Sequence, residues 1–399
     1  KKDEEGEEEV DVSAEGAASG NTARVMSINS SSGEVLTMAP GCGLRAFQFD
    51  RAFDVNAEQQ SVYELCGRAA VADLFNGLSG CVLVYGQTGS GKTYTMFGEG
   101  AEDVRLPHKL GVVPRVCEEV VAGIASRRAA SGIDAELRMA YVEVYGSQVT
   151  DLLRDGAMIG SDESGEQAAN FFHAHRWVLE GRADVPVESV DDVLHLLAKG
   201  DSCKRKAATA MNERSSRAHA LVILTLQQTN EKGVGLTNRL FLADLGGSEK
   251  LSKSEAAKDF KAPGAIVVGD EEVSRVTWAE YYQHRGRLQE SLNINVGLYA
   301  LKRCVEALIH REVARANGHT TIHVPFGDSK LTQILKPALE GGARTTVLIC
   351  ASLEPRNATE SIGSLRFGEA CSRVETRLNR SADAAATLRR VVADIDNEI

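Results

Sequence analysis

No C-x-x-C pair occurs among the eight cysteines, which stand singly at 42, 66, 81, 117, 203, 304, 350 and 371. Cys81 and Cys350 lie inside apolar runs, so the set reads as reduced thiols of a cytosolic protein and not as a disulfide framework. No stretch approaches the ~18 continuous apolar residues of a membrane span, and no signal peptide opens the chain. A membrane is therefore not expected as a partner. Positive charge is also short: 45 Lys and Arg against 56 Asp and Glu leave a net charge of −11, and no nucleic-acid partner is expected. Seven of the acids, Asp3, Glu4, Glu5, Glu7, Glu8, Glu9 and Asp11, crowd the start. That segment is too charged and too poor in apolar residues to fold, so residues 1–22 are expected to form an acidic, disordered tail. Metal-ligand clusters are missing as well. His173 and His175, two apart, have no Cys or carboxylate beside them and read as solvent-edge histidines, as do His319 and His323.

What is present is a chain of 399 residues, 43% hydrophobic, able to bury a large α/β core. Its strongest chemical signal is Gly86-Gln87-Thr88-Gly89-Ser90-Gly91-Lys92-Thr93, which fits G-x-x-x-x-G-K-[ST] at every fixed position. The apolar run Cys81 to Tyr85 predicts a buried strand before it, and a helix is expected to start near Lys92. Backbone amides at that helix start favour an anion, Lys92 can reach β- and γ-phosphates, and the Thr93 hydroxyl is a ligand type suited to Mg²⁺. The expected ligands are ATP or ADP with Mg²⁺.

Two later segments, Asn212-Glu-Arg-Ser-Ser-Arg-Ala-His219 and Leu242-Ala-Asp-Leu-Gly-Gly-Ser-Glu-Lys250, resemble switch I and switch II of the kinesin motor family. The full loop Tyr85 to Met96 is similar to that family's version. His323-Val-Pro-Phe-Gly-Asp-Ser-Lys-Leu-Thr332, Gly342 to Thr346 and Leu365-Arg-Phe367 are similar to its C-terminal signatures. The resemblance implies a kinesin-type P-loop NTPase fold, a mostly parallel or mixed β-sheet with helices on both faces, over residues 23–374. It further implies a microtubule-dependent motor ATPase of the cytoplasm and cytoskeleton. The alternative is an ATP-regulated module that binds microtubules or regulates their ends without stepping.

Along the chain, Arg24 to Met38 around Ser30-Ser-Ser-Gly33 predicts a hairpin. The family's preceding R-x-R-P strand has no counterpart in residues 1–22, which leaves Tyr94 as the expected adenine contact. Phe47 to Phe53 resembles a family strand, and Gln60 to Tyr63 a helix start. Val116, Val120, Val121 and Ile124 predict an amphipathic helix. Leu137 to Val144 reads as a strand running on toward Asp151-Leu-Leu153, residues 155–176 as an exposed loop, and Val190 to Ala198 as a short helix. Leu221 to Gln227 and Leu240 to Leu245 read as the strands of a long hairpin. The family helix beginning E-A-x-N-I-N matches Glu290 to Asn295. The 40 residues before it exceed the ~12–15 usual for an unstructured connection, so an insertion is expected at about 254–286. Leu388, Val392, Ile395 and Ile399 follow an a/d rhythm, which makes residues 375–399 a neck or the start of a coiled coil that could form a homodimer.

The resemblance also assigns roles. Lys92 and Mg²⁺, the latter held by Thr93, Ser216 and Asp244, would neutralise charge on the γ-phosphoryl group. The Gly247 amide would bind the γ-phosphate. Arg217 and Glu249 would pair to close the switches, with Asn212 and Ser215 as polar supports. Within these motifs Ala218, Gly246 and Lys250 depart from the family's serine, alanine and arginine. Val296, Gly297, Gly327 and Gln333 occupy positions where the family carries lysine, serine or arginine toward the filament, leaving Lys330, Lys336 and Arg344 as the cations expected there.

Overall fold

The computed structural model describes residues 24–39, 43–99, 107–131, 133–159, 173–210, 217–229, 235–249, 266–268, 273–275, 278–317, 322–341 and 343–375. The expected tail 1–22, neck 376–399, and switch I residues Asn212, Ser215 and Ser216 lie outside them.

The chain begins with β1 (Arg24–Asn29), β2 (Glu34–Ala39) and β3 (Gly43–Gln48), a small antiparallel sheet in that order. Asn29 turns the first hairpin by accepting the amides of Ser31 and Ser32 at its side-chain oxygen, both at 3.1 Å, so the expected hairpin is present. Strand β3 ends at Gln48, short of the Phe47 to Phe53 strand expected from sequence.

α1 (Gln59–Val62) runs through a π-helical stretch, Tyr63–Gly67, into α2 (Arg68–Phe75). There follow β4 (Ser79–Gly86), α3 (Lys92–Phe97), α4 (Val112–Ser131), β5 (Asp134–Tyr145), β6 (Gln148–Asp151), β7 (Ala157–Met158), α5 (Ala174–Leu179), β8 (Val185–Val187) and α6 (Val190–Ala210). β9 (His219–Thr229) and β10 (Gly235–Asp244) form the long hairpin, and β11 (Ile266–Val268) pairs with β12 (Val273–Arg275). α7 (Trp278–Ala316), α8 (Lys330–Leu339), β13 (Ala343–Cys350) and α9 (Ala358–Cys371) complete the order.

The main sheet runs β13-β4-β10-β9-β5-β6-β7, with β8 on β5. It is mixed: β4 is parallel to both β10 and β13, and β9 is antiparallel to β10 and β5. Because side chains alternate across a strand, β4 supplies both layers of the core. Val82 and Val84 pack with Leu74 of α2, Val116 and Val120 of α4 and Leu197 of α6. Cys81, Leu83 and Tyr85 pack on the opposite face with Leu301 of α7, Ile334 of α8 and Phe367 of α9. Burying a side chain of this size contributes ~1.5–3 kcal/mol, so the two layers together hold the sheet between helices on both faces. The rings of Tyr85 and Phe367 lie 4.2 Å apart, tying the last turn of β4 to the C-terminal helix.

Four further expectations are corrected. The strand at Leu137 does not run on to Asp151; it reverses at Gly146-Ser147, with Gly146 at φ +59°, a left-handed conformation that glycine adopts without Cβ strain. Helix α6 continues past Ala198 to Ala210, and α7 starts at Trp278 instead of Glu290, so residues 278–286 of the expected insertion are helical. The stretch 155–176, expected as an exposed loop, contains β7 and the start of α5, on which His175 lies, and no group of three metal-ligating side chains occurs among the described residues.

Candidate nucleotide site

The parallel pair β4 and β10 delivers the site. Phosphate-loop residues Gly86 to Gly91 follow β4, and Leu242 and Asp244 of β10 sit opposite Val82 and Val84 in register. Beyond Asp244 the chain keeps to β4, with Leu245 donating to the Val84 carbonyl at 3.3 Å and Ser248 to that of Gly86 at 3.1 Å. Switch II is thereby held along the loop's own strand.

Gly91 takes φ +96° as the N-cap of α3, and Lys92 begins the helix. Its Nζ turns back to donate to the Gln87 carbonyl at 2.8 Å, and its side chain is 8% exposed. Burial holds the Lys92 pKa below the usual lysine range, opposed by the charges of Asp244 and Glu249. Thr93 Oγ1 donates to Asp244 Oδ2 at 2.7 Å. Asp244 is buried, which raises its pKa against the opposing effects of Lys204, the Thr93 bond and Lys92. Its other oxygen, Oδ1, is buried without a hydrogen-bond partner among the described residues.

Glu249 reaches back to the loop. Its Oε2 accepts the Thr88 amide at 2.9 Å, and its Oε1 accepts the Thr88 hydroxyl at 2.6 Å. The carboxylate that the resemblance pairs with Arg217 thus has both oxygens on Thr88. Gly247 lies directly beneath: a Cβ there would overlap Thr88 Oγ1 and both Glu249 oxygens, so only a residue without a side chain admits this contact. Tyr94 is half exposed at the rim, and its carbonyl is held at 2.8 Å by Nε2 of the buried Gln59.

Sequence reasoning missed three of these partners. Gln59 looks like an ordinary helix start. Ser364 of α9, whose hydroxyl lies 3.3 Å from that of Ser248, gives no local sign of its role. His219 does give one: it is an imidazole opening the apolar run of β9, and its Nδ1 accepts the Gly246 amide at 2.9 Å.

A family model described as the kinesin motor domain matches residues 4–267 and 269–374. The chain belongs to the kinesin motor family. The kinesin heavy chain of Neurospora crassa is 32% identical over 360 residues, covering 89% of this chain and 33% of that protein. Kinesin-related protein 3 of Dictyostelium discoideum is 33% identical over 362 residues, covering 89% and 26%. The chain thus spans about a third or less of these relatives' lengths. A solved structure described as a fast kinesin is similar over 91% of this chain and 86% of its own, with a TM-score of 0.65 and 29% identity.

On the surface where kinesins carry cations, the structure sorts the neutral positions. Val296 and Gly327 are exposed, but Gly297 is buried against His219 and Leu331. Gln333 Nε2 donates to the Gly327 carbonyl at 2.9 Å, and its Oε1 accepts from Lys330 at 3.2 Å. The structure also places the three cations expected on this surface. Lys330 is 9% exposed, with burial lowering its pKa, Lys336 lies 3.5 Å from Glu340, and Arg344 lies 2.9 Å from Asp73.

Proposed function

We propose that this chain is the ATP-hydrolysing unit of a microtubule motor, its switch II moving with the state of the γ-phosphate. The observation that carries the reading is Glu249 seated on Thr88 above Gly247: a switch carboxylate already occupies donors of the phosphate loop. Phosphoryl transfer of this kind needs positioning and charge neutralisation rather than a covalent nucleophile. Lys92 supplies the buried cation, and the loop amides at the start of α3 take phosphate oxygens. Glu249 gives up Thr88 when a nucleotide enters, becoming available to Arg217.

The donor set fits Mg²⁺. Thr93 Oγ1, on an exposed residue, and Asp244 Oδ1, buried and without a partner among the described residues, are hard oxygens on two side chains joined at one corner, and Ser216 is the further candidate that the family pattern supplies. When bound, the ion would neutralise phosphate charge. Asp244 orients that corner through its bond to Thr93, while Lys92 holds the opposite side. Tyr94 offers its exposed ring as an adenine platform.

The relatives' names speak of kinesins, and the fast-kinesin structure of ATPase mechanism and interactions with microtubules. Transfer of those properties to this chain is tested by measuring ATP turnover with and without microtubules, then filament gliding on immobilised protein. Stimulated turnover with gliding, both lost in Lys92→Ala, is expected. The second reading, a module that binds or shortens filaments without stepping, has one observation in its favour: the neutral Val296, Gly327 and Gln333. Filament shortening without gliding is the result that selects it.

A further inference from the structure

We propose that His219 is a positioning residue that transmits the state of switch II to α7, holding the Gly246 amide with one edge of its ring and facing α7 at Gly297 with the other. The inference rests on the ATPase reading but concerns the last residue of the switch I motif, which has no assigned contact with nucleotide or metal.

His219 is the first residue of β9, paired with Val144 of β5, and only 2% of it is exposed. Its place in the sheet is therefore fixed while its neighbours on either side belong to segments of switch and helix. Nδ1 accepts the Gly246 amide at 2.9 Å, which requires the neutral ring with its proton on Nε2. Burial, with the Lys92 charge adding to it, pushes the imidazole pKa down to about 4 and keeps that form at neutral pH. The Nε2 edge meets α7: a Cβ built on Gly297 would lie 3.1 Å from Nε2 and 3.8 Å from Cδ2. Gly246 in turn packs on the last part of switch I, a Cβ there lying 3.0 Å from the Arg217 carbonyl oxygen. One imidazole thus bonds the amide next to Gly247 and faces the second residue past Asn-Ile-Asn on α7.

A shift of Gly246 when Glu249 leaves Thr88 must either break the Nδ1 bond or turn the ring. A turned ring presses on α7 at a point with no side chain to yield. The buried amide cannot be left unsatisfied without cost, so the ring follows it.

Three variants test this: His219→Leu, which removes the acceptor; His219→Asn, whose side-chain oxygen can replace Nδ1; and Gly297→Ala, which crowds Nε2. Losing a buried hydrogen bond of this type corresponds to about tenfold or more. His219→Leu is expected to lower the ratio of microtubule-stimulated to basal kcat about tenfold, with KM for ATP changed less than about threefold. His219→Asn should recover much of that ratio, and Gly297→Ala should lower it with the acceptor still in place. Hydrogen exchange of α7 with and without a non-hydrolysable ATP analogue supplies a readout that needs no filament. The wild type should change its α7 protection on binding the analogue, and His219→Leu should not, although it still binds. A His219→Leu protein that keeps both the wild-type ratio and the α7 response overturns the proposal, as does an Asn variant as defective as the Leu one. Absence of microtubule stimulation in the wild type would instead count against the motor reading, with the exchange experiment still deciding the role of His219.

Discussion

At the scale of single residues, the site is defined by groups that bond each other across the phosphate loop and switch II. Glu249 is the clearest case, because both its oxygens sit on a loop that must accept phosphate. Glu249→Ala should leave ATP binding intact or tighter, since a competing carboxylate is gone, while turnover falls at least tenfold because closure over the γ-phosphate fails. Fluorescent-nucleotide titration alongside steady-state turnover separates the two effects. His219 makes a second prediction. Its pKa in the folded chain is about 4, against 6.5 for the ordinary group. As pH falls from about 6.5 toward 4, the unfolded chain takes up a proton that the native chain refuses, so the stability contribution present above that window is lost within it. The full loss is on the order of 3 kcal/mol at 1.36 kcal/mol per pKa unit. Denaturation midpoints at pH 7.5 and 5 should differ less in His219→Asn than in the wild type.

Among elements, the strand, loop and helix from Ser79 to Phe97 were legible in sequence because each rests on local rules: an apolar run, glycines at tight turns, an anion-binding helix start. The elements misread are those where tertiary contacts decide. Helix α6 runs on past Ala198 through Gly200, whose missing Cβ is what lets the Tyr141 ring lie against it. The reversal at Gly146 was hidden by apolar residues on both sides of it. The Glu249–Thr88 contact joins loops 161 residues apart, and no spacing rule reaches that far. The same logic bears on the expected insertion. Since α7 starts at Trp278, the segment to remove is 254–276, with the helix spared. That deletion should preserve basal ATP turnover and change microtubule affinity, measured by co-sedimentation; loss of turnover would show that the segment supports switch II directly.

For the whole molecule, charge is the property that separates this chain from its relatives' pattern. Of the cations expected in compensation, Lys330 is buried, whereas Lys336 and Arg344 are half-exposed beside Glu340 and Asp73. Exposed charge pairs contribute ~0.2–1 kcal/mol each, so Gly327→Arg with Gln333→Arg should tighten microtubule binding by roughly 2- to 30-fold at low salt. The gain should shrink as salt rises and the Debye length shortens. Co-sedimentation across a salt series checks both, and unchanged binding would mean that this face does not meet the filament. The two-faced use of β4 has a consequence for how the molecule comes apart. Val82 faces one layer and Leu83 the other, one peptide apart, so neither layer can melt while the other keeps its strand. A cavity cut on either side, Val82→Ala or Leu83→Ala, should therefore lower one shared calorimetric transition instead of splitting it in two, and the chain should break down as a single cooperative unit with no half-molecule to rescue.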